Sequence, residues 1–190
     1  MKDSLQIKLY GILPESRTNG PGKRIVIWFQ GCTLNCPGCF NPESHTKKAK
    51  LVKTLQEVDT HIIEQSNIEG VTISGGEPFQ QQYRLYRLLQ LIKAKSQLSV
   101  ILFSGYEIEE IEKFKYGKKI LHLTDILIAG RYKQQMHTGR GLCGSSNKTL
   151  HLFSNRYKVD DIINTPEAEI TISTSGKIFL SGIDPLMLGE

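Results

Sequence analysis

"GCTLNCPGCFNPES" (Gly31–Ser44) carries three of the chain's four cysteines, Cys32, Cys36 and Cys39, in a C-x3-C-x2-C run. Disulfides among them would close only tiny loops, so the run is not a secreted disulfide framework. A structural zinc site asks for four ligands, usually as two separated pairs. The fourth cysteine, Cys143, stands more than a hundred residues further on. A zinc site completed by His45 is the bland alternative. Thiolates also hold iron–sulfur clusters, four of them for a four-iron cluster. Three thiolates leave one iron without a protein ligand, and an open position on a metal is what a catalytic site keeps. The run therefore points to a cluster whose last iron binds something other than protein.

Strands and helices alternate around the run. Before it, "RIVIWFQ" (Arg24–Gln30) is rich in β-branched and aromatic residues and reads as a buried strand. After it, "TLQEVDTHIIEQS" (Thr54–Ser66) opens with a capping box, Thr54 and Glu57, and sets Leu55, Val58 and Ile62 on one helical face. Val71–Ser74 is a short strand running into a glycine turn. "QQYRLYRLLQLIKAK" repeats Leu85, Leu88, Leu89 and Ile92 at helical spacing. Leu98–Phe103 and Thr124–Gly130 are further apolar strands, with the short helix "EIEEIEKF" between them. Such units predict an α/β fold with a mostly parallel sheet and right-handed crossovers. A complete (β/α)8 barrel takes about 250 residues, so the 190 residues here predict a partial, open β/α barrel. "LQIKLYGI" is expected as an N-terminal edge strand. "AEITISTSGKIFLSG" (Ala168–Gly182) is expected as a C-terminal β-hairpin turning at Gly176. One domain, 1–190, is expected, with a core of about 18–150 and an extension of about 151–190.

Composition is that of an ordinary globular chain, 39% hydrophobic and 23% charged. There is no apolar leader and no membrane-length apolar run, so neither secretion nor a membrane is expected. With its clustered thiols, the chain is expected in a reducing cytoplasm. The net charge of +5 is uneven: residues 111–158 hold ten Lys and Arg against Glu112 and Asp125. That segment is either a solvated positive face or a surface that attracts phosphates, nucleic acid or an acidic partner. No aromatic-basic nucleic-acid motif accompanies it, and no nucleic-acid partner is expected.

A second constellation, "SGGEP" (Ser74–Pro78), ends a strand, where α/β folds place ligands. Its glycines allow backbone to approach a ligand closely. Taken alone it could be a plain turn. Together, the cysteine run after one strand and GGEP after the next resemble the radical S-adenosylmethionine enzymes. "NGPGKRIVIWFQGCTLNCPGCFNPES" (Asn19–Ser44) is similar to the activating enzymes of glycyl radical enzymes. "SGY" (Ser104–Tyr106), "TDILIAGRY" (Thr124–Tyr132) and "GSSN" (Gly144–Asn147) are similar to the activators of anaerobic ribonucleotide reductase.

The resemblance implies a [4Fe-4S] cluster on Cys32, Cys36 and Cys39, with S-adenosylmethionine on the fourth iron. It implies reductive cleavage to methionine and a 5′-deoxyadenosyl radical, which takes a hydrogen atom from a glycine of a partner glycyl radical enzyme. It implies an electron donor of flavodoxin or ferredoxin type. Phe40 matches an aromatic near adenine and cluster, and Asn41 the asparagine that follows it. Gly75, Gly76, Glu77 and Pro78 match the stretch near the methionyl amino group, and Ser74 before them is a further cofactor-binding candidate. Ser104 is placed for the carboxylate or ribose. Asp125 and Arg131 are weaker cofactor candidates, since Asp125 could equally be a cap and Arg131 a surface cation. Gly38 stands where many radical enzymes carry an aromatic. Arg24 is a family match that could simply pair with a carboxylate. Cys143 is expected to be a plain thiol, not a ligand. With one cysteine outside the run, no auxiliary cluster is expected. The competing function is a minimal radical enzyme acting on a small molecule or peptide, whose mouth only the C-terminal hairpin could close.

Overall fold

Strand periodicity decides which face of the sheet is covered by helices and which is left for a site. The computed structural model describes residues 5–138, 141–172, 176 and 178–182. In chain order the elements are β1 (Gln6–Ser16), β2 (Arg24–Phe29), β3 (Leu51–Thr54), α1 (Leu55–Ile63), β4 (Gly70–Gly75), α2 (Gln82–Lys95) and β5 (Ser99–Phe103). They continue with α3 (Ile108–Ile111), α4 (Gly117–His122), β6 (Ile126–Ala129), β7 (Thr149–Leu152), α5 (Val159–Ile163), β8 (Ala168–Ile172) and β9 (Ile178–Gly182).

Seven strands form one sheet in the order β3-β1-β2-β4-β5-β6-β7. The central four, β2, β4, β5 and β6, are parallel, and β1, β3 and β7 add antiparallel margins. The sheet is open, with β3 and β7 as its edges. One expectation is corrected here. The N-terminal strand is not an edge: it lies between β2 and β3, because Leu51–Thr54 pairs along its outer side, Gln6 opposite Thr54 and Leu9 opposite Leu51. β3 and β7, four residues each, are too short to carry a readable alternation, so both escape a sequence reading. The capping box does form, Thr54 Oγ1 accepting from Glu57 N at 3.2 Å and Glu57 Oε2 from Thr54 N at 2.6 Å.

Alternate residues along the strands supply two cores. Ile25, Ile27, Phe29, Val71, Ile73, Val100, Leu102 and Leu127 face α1 and α2, which bury Leu55, Val58, Ile62, Leu85, Leu88, Leu89 and Ile92 against them. Burying each such side chain contributes about 1.5–3 kcal/mol. The opposite face is covered more thinly, by Ile101, Ile126 and Ile128 with Leu142, Tyr157 and Ile162. Helices thus claim one face; at the C-terminal strand ends, Trp28, Ser74 and Phe103 line a cavity. At the other end of β2, Arg24 is fully buried. Among the described residues it meets no carboxylate directly. Its guanidinium donates to Thr72 Oγ1, Ser99 Oγ, the carbonyls of Val71, Ser99 and Pro21, and Tyr157 Oη, at 2.8–3.3 Å.

β8 and β9 form the expected separate hairpin. Gly176 has φ +79°; the turn's other residues lie outside the described ones. The hairpin is fixed at its base. Glu169 Oε2 accepts from Ser16 Oγ and Arg17 N, both at 3.0 Å, and Ser181 Oγ from Asn19 Nδ2 at 2.7 Å.

Candidate functional site

The loop after β2 is closed on itself by backbone bonds. Gly31 N donates to Ser44 O at 2.7 Å and Cys32 N to His45 O at 3.1 Å. Gln30, buried beneath it, donates through Nε2 to the carbonyls of Glu43 and Thr46. Within the loop, Cys39 N bonds Cys36 O, and Asn41 N points at Cys39 Sγ, 3.5 Å away. Gly38 has φ +69°, a left-handed backbone conformation that favours glycine over an aromatic at that position.

The turn after β4 is clasped to the base of this loop. Gly76 N donates to Phe29 O at 2.8 Å and Glu77 N to Gly31 O at 2.9 Å. A Cβ on Gly76 would sit 2.5 Å from Gly31 O, so only glycine permits the approach. The two motifs that the sequence separates by some forty residues are therefore hydrogen-bonded neighbours.

Both open on one cavity of about 710 Å3. Cys32, Cys36, Cys39, Phe40, Asn41, Ser74, Gly75, Gly76, Glu77 and Ser104 all line it. All four cysteines are free thiols, and burial pushes the Cys32 thiol above its ordinary value. His45 Nε2 lies 3.3 Å from Cys39 Sγ. Even so, among the described residues no three His, Cys, Asp or Glu side chains converge tightly enough to hold one metal ion. Three thiols spread over one wall of a roomy cavity suit a multi-iron cluster better than a single zinc ion.

Glu77 is 1% exposed. Oε1 accepts from Phe79 N and Ser104 Oγ, both at 3.0 Å, and Oε2 from Gly105 N at 2.7 Å. Burial raises its pKa to about 7, against the pull of these three donors. The carboxyl thus ties the end of β4 to the segment after β5 and fixes the Ser104 hydroxyl. Phe40, half exposed, packs at 4.3 Å between ring centroids on Tyr132, itself in the cavity wall.

Three of the sequence candidates lie off the cavity wall. Pro78 is buried at the start of a 3-10 turn. Asp125 lies at the N-terminal end of β6, opposite the cysteine loop, where it takes Lys93 Nζ at 2.7 Å and Val100 N at 2.8 Å. Arg131 follows β6 on the correct end but pairs with Glu110 and lies over the Tyr106 ring, 5.2 Å from its centroid. Sequence reasoning missed Lys148. It is the one Lys or Arg among the described residues lining the cavity, and its Nζ donates to Gly130 O at 2.8 Å. Desolvation holds its pKa below lysine's ordinary value. In "GSSNKTL" it looks like one more cation of a basic segment; only the folding of β7 beside β6 brings it inward. Cys143 also reaches the cavity wall, a position the sequence does not foretell.

A family model described as "4Fe-4S single cluster domain" matches residues 18–151. An anaerobic ribonucleoside-triphosphate reductase-activating protein of Enterobacteria phage T4 is 31% identical over 145 residues, covering 73% of this chain and 90% of that protein. The protein of the same description from Escherichia coli K12 is 25% identical over 146 residues, 73% of this chain and 94% of that protein. A Haemophilus influenzae protein named for glycyl-radical enzyme activation is 38% identical over 104 residues, 53% of this chain and 39% of that protein. No helix of the described residues is long and apolar enough to cross a membrane.

Proposed function

Because the chain belongs to the 4Fe-4S single cluster domain family, together with the anaerobic ribonucleoside-triphosphate reductase-activating proteins, we propose that it installs a glycyl radical on an anaerobic ribonucleotide reductase. It is a radical S-adenosylmethionine enzyme with a [4Fe-4S] cluster. The observation that carries the reading is the clasp: the three-thiol loop and the Gly75–Glu77 turn share backbone bonds and one cavity.

Cys32, Cys36 and Cys39 would hold the cluster. When bound and reduced, the cluster supplies the electron that splits the sulfonium of S-adenosylmethionine. The protein's own groups do the positioning. The backbone of Ser74–Gly76 receives the methionyl amino end, and Lys148, the wall's one cation, sits ready for the carboxylate. Phe40 and Tyr132 offer ring faces to the adenine. Ser104, held by Glu77, presents a fixed hydroxyl. We read the open sheet as the partial β/α barrel of such enzymes, the chain as one domain, and the cytoplasm, with a flavodoxin- or ferredoxin-type donor, as its setting.

The test is anaerobic reconstitution. Iron and sulfide analysis is expected to give one four-iron cluster per chain, and each of Cys32→Ala, Cys36→Ala and Cys39→Ala to abolish cofactor cleavage. Cys143→Ala should retain both cluster and cleavage. With the reductase added, a doublet glycyl signal should appear in electron paramagnetic resonance. One zinc per chain without iron overturns the reading. So does cofactor cleavage that modifies a metabolite or peptide while no glycyl radical forms.

A further inference from the structure

The hairpin β8–β9 lies outside the span matched by the family model, residues 18–151. It presents an aliphatic face that stands exposed among the described residues. Register places Ile170 opposite Leu180 and Ile172 opposite Ile178, so all four stand on one side of the two strands. They are 46%, 41%, 67% and 56% exposed respectively. Exposure rises from the base pair to the tip pair, as in a strip that leaves the body and projects into solvent. Its near end belongs to the cavity: Leu180, with Ser181 and Gly182, lines the wall. Elsewhere on that wall, Phe40 is 50% exposed. The mouth is therefore flanked by apolar side chains on a rigidly anchored arm.

We propose that this face is the docking surface for the glycyl radical partner, received through an apolar patch beside the loop that carries its glycine; this rests on the activase reading above. Three observations choose the partner over other occupants. The strip is continuous with the cavity through Leu180, so whatever lies on it is led to the mouth. An activase takes its hydrogen atom from a polypeptide, which must bring surface as well as a loop. The four side chains expose on the order of 400 Å2. Two copies meeting face to face would bury about 800 Å2, short of the ~1,200 Å2 of a stable interface. A larger partner covering both arm and mouth reaches that area.

The test uses the reconstituted protein and the full-length reductase. The variant is the tip pair Ile172→Thr with Ile178→Thr, which keeps β-branched side chains and touches neither cavity nor core. Expected results are a Kd for the reductase raised tenfold or more, with radical yield restored at saturating reductase. Iron content, S-adenosylmethionine binding and partner-free cofactor cleavage should be unchanged. An unchanged Kd, with glycyl radical formed normally, overturns the docking surface and leaves the activase reading standing. A wild-type dimer that the variant dissociates, with reductase affinity unaltered, also overturns it in favour of self-association. If the wild-type protein cleaves the cofactor but neither binds the reductase nor gives it a radical, both readings fall.

Discussion

Replacing Glu77 by Gln tests whether the carboxyl between the two motifs is a buried acid rather than a solvated one. The folded pKa is about 7 and the ordinary value 4.5. A carboxyl raised on folding binds its proton more tightly in the native state, so its contribution to stability is greatest below pH 4.5 and is lost as pH climbs through 7. From pH 5 to pH 8 the loss is about 2.5 kcal/mol. The amide introduced by Glu77→Gln has nothing to titrate and removes that slope. It also sets an amide donor against one of the three donors that Glu77 satisfies, at Phe79, Ser104 and Gly105. That is a pH-independent cost of about 1–3 kcal/mol. The cluster-free protein, unfolded by urea under reducing conditions at pH 5 and pH 8, measures the difference. The stability advantage of wild type over Glu77→Gln should shrink by about 2.5 kcal/mol between the two. A constant difference across that range would show that Glu77 ionises as it does in water, and the burial argument would be wrong.

Substitutions at three other positions probe separate parts of the frame. Gly76→Ala forces a methyl against Gly31 O at 2.5 Å; it should pry the thiol loop from β4, and iron bound after reconstitution should fall well below the wild-type value. Arg24→Met removes the donor that Thr72 Oγ1 and the carbonyls of Val71 and Ser99 share, and should cost about 3–5 kcal/mol in denaturant unfolding, with Arg24→Lys recovering only part of it. Phe40→Ala removes a half-exposed ring that packs on Tyr132. It should change unfolding by less than about 1 kcal/mol while weakening S-adenosylmethionine binding about tenfold in calorimetry.

Local patterns fixed much of this molecule before any tertiary contact was considered. Apolar, β-branched and aromatic runs mark strands at Arg24–Gln30 and Leu98–Phe103, each one residue longer than the strand that forms; helical spacing marks Leu85–Ile92, and Thr54 with Glu57 marks a helix start. These depend on neighbours within a turn or two of backbone, which is why they are legible. The thiol spacing and the GGEP turn are legible for the same reason, since each is a contiguous run. What lies between such runs was not. The placing of β1 inside the sheet rests on four residues of β3 whose pattern is too short to read. Lys148 enters the cavity only because β7 folds back on β6, and Asp125 is kept at the far end of the sheet by the direction of the same β6. Burial of Arg24 among carbonyls and of Glu77 among amides is likewise a property of packing. A side chain's environment is assembled from residues distant in sequence, so the sequence named the chemistry of the site, and the packed sheet decided which polar groups face it.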